Sequence, residues 1–230
     1  MPQGVKQKER SAVCIDLGLL EYSRALDLQF KILQKKIDKT ILEDRLFFVE
    51  HPSVYTLGKR GGKENLSVSK EFLKSKNIDI VQTDRGGNIT YHGPGQAVLY
   101  PIIDLGKNKI GVKDFVYGLE EIMKLTARDF DIDADRNPKN HGIWVGSAKI
   151  GSVGISIKKG ISFHGLAMNI DPDLEPFSWI NPCGLINVSM TSIEKQIEHC
   201  LAPKPDLSMQ HIKTAFVTHF SSIFNYSVTL

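Results

Sequence analysis

Between Gly142 and Ile170 short β-prone runs are broken at Gly146-Ser147, Gly151, Lys159-Gly160 and Gly165. Runs this short, separated by turn formers, predict antiparallel hairpins. Three helical patterns interrupt the strand-like remainder. Residues 19–38 carry Tyr22, Leu26, Phe30, Leu33 and Ile37 as one apolar stripe. Residues 112–130 repeat the pattern through Val112, Phe115, Leu119, Ile122, Thr126 and Phe130, and residues 207–223 do so through Leu207, Ile212, Phe216, Phe220 and Ile223. Three amphipathic helices mixed with hairpins predict an α+β chain with a mixed β-sheet backed by helices.

Smaller signals fill in the rest. Residues 11–17 and the run Leu46 to Val49 read as strands, the second ended by the turn-prone His51-Pro52-Ser53. Gly58 to Lys63 reads as a charged loop, 69–76 as a short helix and 78–83 as a strand. Gln96 to Leu105 is strand-like, although Pro101 inside it argues for an edge or a bend. A proline-rich coil spans Asp171 to Pro182. With no linker or repeat in 230 residues, one domain over 1–230 is expected, residues 1–10 forming a flexible extension.

Composition excludes several classes. A chain that is 41% hydrophobic and 24% charged is ordinary globular protein, not disordered or fibrous. A net charge of +3 without a basic cluster gives no nucleic-acid footprint. No apolar run approaches the ~20 residues of a membrane helix, and MPQGVKQKER carries no apolar core of a secretory signal. Cys14, Cys183 and Cys200 are odd in number and lack CxxC spacing, so a reducing, cytoplasmic setting is expected. The histidines form no metal-binding pair with an acidic neighbour, so no metal site is expected.

Three segments could carry chemistry. In Arg85-Gly86-Gly87-Asn88-Ile89-Thr90-Tyr91-His92-Gly93-Pro94-Gly95-Gln96 four glycines cost chain entropy, which is understandable where backbone must approach a ligand. The spacing matches neither a phosphate loop nor a dinucleotide turn. In Ala148-Lys149-Ile150-Gly151-Ser152-Val153-Gly154, a strand would turn Lys149 and Ile150 to opposite faces. Lys149 beside an apolar pocket could then move protons, whereas on an open strand it would be a solvated lysine. In Asn181-Pro182-Cys183-Gly184, proline and glycine set Cys183 in a turn, where a thiolate could act as a nucleophile or the residue could simply be a turn cysteine. Cys14, in an apolar strand, and Cys200 read as buried and inert. Spacing also leaves open His92 or His164 assisting Cys183, as in a thiol hydrolase.

Taken in order, EHPSVYTLGKR, RGGNITYHGPGQAVLYPIIDL, GIWVGSAKIGSVGI and ISFHGLAMNIDPDLEPFSWINPCG resemble the lipoyl(octanoyl) transferase family from about residue 14 to 195. The resemblance implies the biotin/lipoate ligase fold, a class II synthetase-like α+β domain. It also implies that Cys183 is the acyl-thioester nucleophile and that Lys149 lowers its pKa. Arg85, Gly86, Gly87, Asn88, Ile89, Thr90, Tyr91 and His92 would fall on the acyl-substrate pocket, with Ser152, Val153 and Gly154, and with Gly165, Leu166 and Ala167.

The reaction so implied moves an octanoyl or lipoyl group from acyl carrier protein to a lysine of a lipoyl domain. The acceptors would be 2-oxoacid dehydrogenase E2 subunits and the glycine cleavage H protein. No cofactor is implied, because the donor thioester is already activated. Neither nucleic acid nor membrane is an expected partner. Alternatives on the same residues are a lipoyl-domain amidotransferase, an ATP-dependent lipoate or biotin ligase, a thiol hydrolase and a non-enzymatic carrier-protein binding module.

Overall fold

The computed structural model describes residues 10–138, 140–181, 188–198 and 205–230. The chain opens with β1 (Arg10–Leu19), α1 (Tyr22–Ile37), β2 (Asp44–Glu50), β3 (Val54–Leu57), α2 (Lys70–Ser75) and β4 (Asp79–Gln82). It continues through β5 (Ile89–His92), β6 (Gln96–Ile102), α3 (Leu105–Asn108), α4 (Val112–Arg128), β7 (Asp135–Asn137) and β8 (Asn140–Val145). It ends with β9 (Ala148–Lys158), β10 (Ile161–Asn169), α5 (Ile193–Ile197), α6 (Met209–Phe224) and β11 (Tyr226–Thr229).

Eight strands form one sheet in the order β11-β1-β2-β6-β10-β9-β8-β7, parallel where β1 meets β2 and β11 and antiparallel elsewhere. A second sheet has the order β4-β3-β5. Strand alternation divides the core between two faces. Ala97 and Leu99 of β6 pack with α4 and α6, while Val98, Tyr100 and Ile102 pack with α1. The α+β reading and the hairpins therefore hold.

Four local expectations differ from the structure. Arg10, assigned to the extension, opens β1 opposite Tyr226 and donates to the carbonyls of Phe224 and Asn108. Strand β5 lies inside the glycine-rich segment and pairs with β3, a strand that no sequence pattern marks, over Val54–His92 to Leu57–Ile89. Helix α1 buries Tyr22, Ala25, Gln29, Leu33 and Lys36, whereas Phe30 is 39% exposed. Gln29 Oε1 accepts the His164 N–H at 2.7 Å, and Lys36 Nζ meets Asp44 at 2.7 Å.

Pro101 lies in a central strand, neither at an edge nor at a bend. Its carbonyl accepts from Ser162 Oγ on the β10 side, so the nitrogen without a hydrogen also faces β10. There β10 departs from regular geometry at His164, with φ +55°, and regular pairing with β6 begins only at Leu166–Leu99. Ser162 Oγ accepts the Ile103 N–H in place of a strand carbonyl. Gly165 completes the fit, since a Cβ there would stand 1.9 Å from Leu99 O and 2.7 Å from Pro101 Cδ.

Candidate active site

A cavity of about 840 Å³ opens between β9 and β10, the 85–88 loop, β5 and the first half of α4. Three sequence segments meet on its wall: Arg85 to Thr90 with His92, Ser152 to Gly154, and Gly165 to Ala167. Pairing of Ser152, Val153 and Gly154 with Ala167, Leu166 and Gly165 brings the last two together. The glycine loop is joined to the same strand by the Gly86 N–H, which donates to Ile155 O at 2.9 Å. Among the described residues assigned from the sequence, Tyr91 alone is not on the wall. It packs with Tyr55 and Phe177, and its hydroxyl pairs with Ser53 Oγ at 2.9 Å.

The cavity is open at α4, where Val112 and Tyr117 are exposed, and closed at Tyr22, His92, Tyr100 and His164, all buried. Arg85 is tied into the wall by hydrogen bonds to Thr56 Oγ1 at 3.1 Å and Thr56 O at 2.6 Å. Gln96 Nε2 donates to Asn169 Oδ1, which aims its oxygen at His92 Nδ1, 2.6 Å away. His92 therefore donates from Nδ1. Burial, reinforced by His51 and Arg85, pushes its pKa down to about 3. Behind it His51 donates from Nδ1 to Leu20 O at 2.6 Å, and burial lowers its pKa to about 4. Burial also lowers the pKa of His164, although Asp84 at 2.9 Å opposes the shift. The closed end thus presents neutral rings whose polar atoms are engaged, His92 with Gln96, Tyr100 with His51, and Tyr22 with His164.

Lys149 is on the wall and only 2% exposed, with its ammonium 5.5 Å from the Trp144 ring centre, while Ile150 lies in the core. Its N–H donates to Ser189 O and its carbonyl accepts the Thr191 N–H, both at 2.9 Å. Two positions before Cys183 in the sequence, the Asn181 N–H donates to Asn65 O at 2.8 Å. Cys183 and Cys200 themselves lie outside the described residues. Cys14 is buried, and desolvation raises its pKa to about 11. Among the described residues no group of three or more metal-ligating side chains could hold a metal ion, and no helix is long and apolar enough to cross a membrane.

Sequence reasoning missed Tyr22, Thr56, Tyr100 and Glu120 as parts of the site. Tyr22 sat in an apolar stripe, and the others carried no local signal. Their roles come from partners far along the chain, such as Arg85 for Thr56 and Gly142 for Glu120.

A family model described as the lipoyl protein ligase A/B catalytic domain matches residues 21–221. A protein of Desulfotalea psychrophila named octanoyltransferase is 50% identical over 79% of this chain and 82% of its own. One of Alkaliphilus metalliredigens with the same name is 40% identical over 93% and 95%. The bipartite lipoate protein ligase of Thermoplasma acidophilum, studied with its E2 lipoyl domain, shares the fold. Its TM-score is 0.69 at 16% identity, over 96% of this chain and 88% of that one.

Proposed function

This chain belongs to the lipoyl protein ligase A/B catalytic-domain family, and from that premise we propose that it is an octanoyltransferase of protein lipoylation. It moves an octanoyl group from a thioester on acyl carrier protein to a lysine amine on a lipoyl domain, of an E2 subunit or an H protein. Residues 1–230 act as one catalytic domain, and a reducing cytoplasm suits its free, buried Cys14.

One juxtaposition carries the reading. A cavity closed by neutral rings has Lys149 on its wall, and Lys149 is hydrogen-bonded to Ser189, six residues beyond Cys183. An apolar chain fits such a closed end because the rings there carry no charge, and the nearby Arg85 guanidinium already spends its donors on Thr56 rather than on water.

In the proposed reaction the Cys183 thiolate, favoured by the Lys149 cation, attacks the donor carbonyl. The carrier thiolate leaves and takes a proton from Lys149, so the acyl group rests on Cys183 as a thioester. The neutral amine of the acceptor lysine then attacks that carbonyl and gives a proton to Lys149. An amide forms and the Cys183 thiolate is released. Arg85 to His92, Ser152 to Gly154 and Gly165 to Ala167 hold the acyl chain, with Tyr91 supporting the wall from behind.

The test mixes the protein with octanoyl-acyl carrier protein and no nucleotide, reads the intact mass, then adds a lipoyl domain. An octanoyl adduct on Cys183 that passes to the domain lysine is expected. No adduct, together with strict ATP dependence, would transfer the chain to the ligase reading.

A further inference from the structure

Strands β8 and β9 pair Ile143 with Gly151 but Trp144 with Lys149, which leaves Ile150 as an extra residue on β9. This β-bulge changes which face each side chain takes. Ile150 lies in the core beside α4, and a Cβ on the next residue, Gly151, would also meet α4, 2.6 Å from Met123 Sδ. Two consecutive residues thus turn to one face, and the bulge carries Lys149 to the other. Regular alternation from Gly151 would have put Lys149 on the α4 side.

The strand opposite is fitted to that displaced lysine. Gly142 has φ +115°, and a Cβ there would stand 2.2 Å from Gly151 O and 2.8 Å from Lys149 Cε. Its N–H is held by a side chain of α4, donating to Glu120 Oε1 at 2.8 Å. Glu120 is 5% exposed, an unusual place for a carboxylate in a helix that otherwise buries Phe115, Leu119, Ile122 and Met123. Arg136 compensates it, with Nε 3.3 Å from Oε2. Arg136 is itself fixed by Glu121 at 2.5 Å, by Tyr117 O at 3.0 Å and by the Tyr117 ring beneath its guanidinium.

From this arrangement we propose that Glu120 is a positioning residue for Lys149, acting through the Gly142 N–H to hold the bulge that turns Lys149 into the cavity. The inference rests on the reading of Lys149 as the proton-carrying group of acyl transfer. Glu120 itself touches no reacting atom in this scheme. Its part is geometric, and a displacement near 1 Å in a proton-transfer group can cost about 10²-fold in rate.

Steady-state kinetics with octanoyl-acyl carrier protein would compare Glu120→Ala, Glu120→Gln, Gly142→Ala and, as reference, Lys149→Ala, with a thermal melt for each. Glu120→Ala should lower kcat by about 10²-fold with little change in KM. Glu120→Gln keeps an oxygen for the Gly142 N–H and should recover most of that loss. Gly142→Ala leaves Glu120 in place but drives a methyl group against Gly151 O and Lys149 Cε, displacing the bulge and the lysine together, and should lower kcat likewise. If Glu120→Ala does not fold, the Glu120→Gln and Gly142→Ala pair carries the test. Folded Glu120→Ala and Gly142→Ala proteins with wild-type kcat, or with a change in KM alone, would overturn the inference. Full activity in Lys149→Ala would instead remove the reading beneath it.

Discussion

The hydroxyl of Tyr100 donates to His51 Nε2 across 2.8 Å, and His51 spends its own proton on Leu20 O. His51 is thereby neutral, with both ring nitrogens occupied behind the closed end of the cavity. His92 is neutral as well, its pKa near 3 against about 4 for His51.

Both folded-state values lie below the ordinary histidine value of 6.5. Between that value and the folded ones, the unfolded chain binds protons that the folded chain does not. Stability should therefore fall as pH drops through about 6.5, and keep falling toward about 4 and 3, by on the order of 3 kcal/mol for His51 and about 5 kcal/mol for His92 over the whole window. Urea unfolding midpoints at pH 7, 6 and 5 would check it. A midpoint that stays level or rises on acidification would refute this account of the closed end.

The three cysteines should separate cleanly. Cys183→Ala is expected to abolish transfer while the melting temperature stays near wild type, whereas Cys14→Ala and Cys200→Ser should keep most activity. Cys14, with its pKa pushed up to about 11, should also resist iodoacetamide at neutral pH. Peptide mass mapping after brief alkylation reads both points. Near wild-type transfer by Cys183→Ala would end the covalent scheme.

Lys149 can be divided into a charge and a proton. Arginine keeps the charge but releases no proton in the working range. Lys149→Arg should accordingly still form acyl-Cys183 slowly and fail to pass it on, while Lys149→Ala loses both steps. Rapid-quench measurement of the acyl-enzyme separates them. Equal loss of both steps in Lys149→Arg would show that the wider guanidinium cannot occupy the site at all.

Acyl-chain length should be set at the closed end, where Tyr22 stands beside His92, with ring centres 5.8 Å apart, and its hydroxyl is 3.4 Å from His164 Nδ1. Tyr22→Val removes ring volume there. The kcat/KM ratio of decanoyl to octanoyl donor should rise, each newly accommodated methylene being worth about 0.8 kcal/mol, or roughly fourfold. An unchanged ratio in a folded variant would mean that the chain ends elsewhere.

Much of the site was legible because its wall is built from contiguous stretches. Arg85 to Thr90, Ser152 to Gly154 and Gly165 to Ala167 each enter the cavity as a run; glycines beside polar residues mark the first two, whereas the third is marked only by the family resemblance. Tyr91 did not follow, because a residue's face on β5 is a matter of tertiary pairing. Thr56 and Glu120 could not be picked out at all. Each binds a group 20 or more residues away, Arg85 for the one and Gly142 for the other, and neither has a local signature.

The sequence by itself determined the period of α4 and α6 and the hairpin of β9 and β10, since amphipathic spacing and glycine breaks act within a few residues of chain. Only the tertiary structure decided which polar groups are buried. Gln29 is an interior residue because the irregular strand at His164, 135 positions later, offers an N–H to it. Pro101 sits in a central strand because β10 carries Gly165 where a side chain would collide, and because Ser162 supplies the Ile103 N–H with an acceptor. Lys149 faces the cavity because one unpaired residue on β9 reverses the alternation that its neighbours would impose. Periodicity tells a segment which of its sides is apolar, but a buried donor or acceptor is satisfied only by a particular partner, and that partner is supplied by the fold.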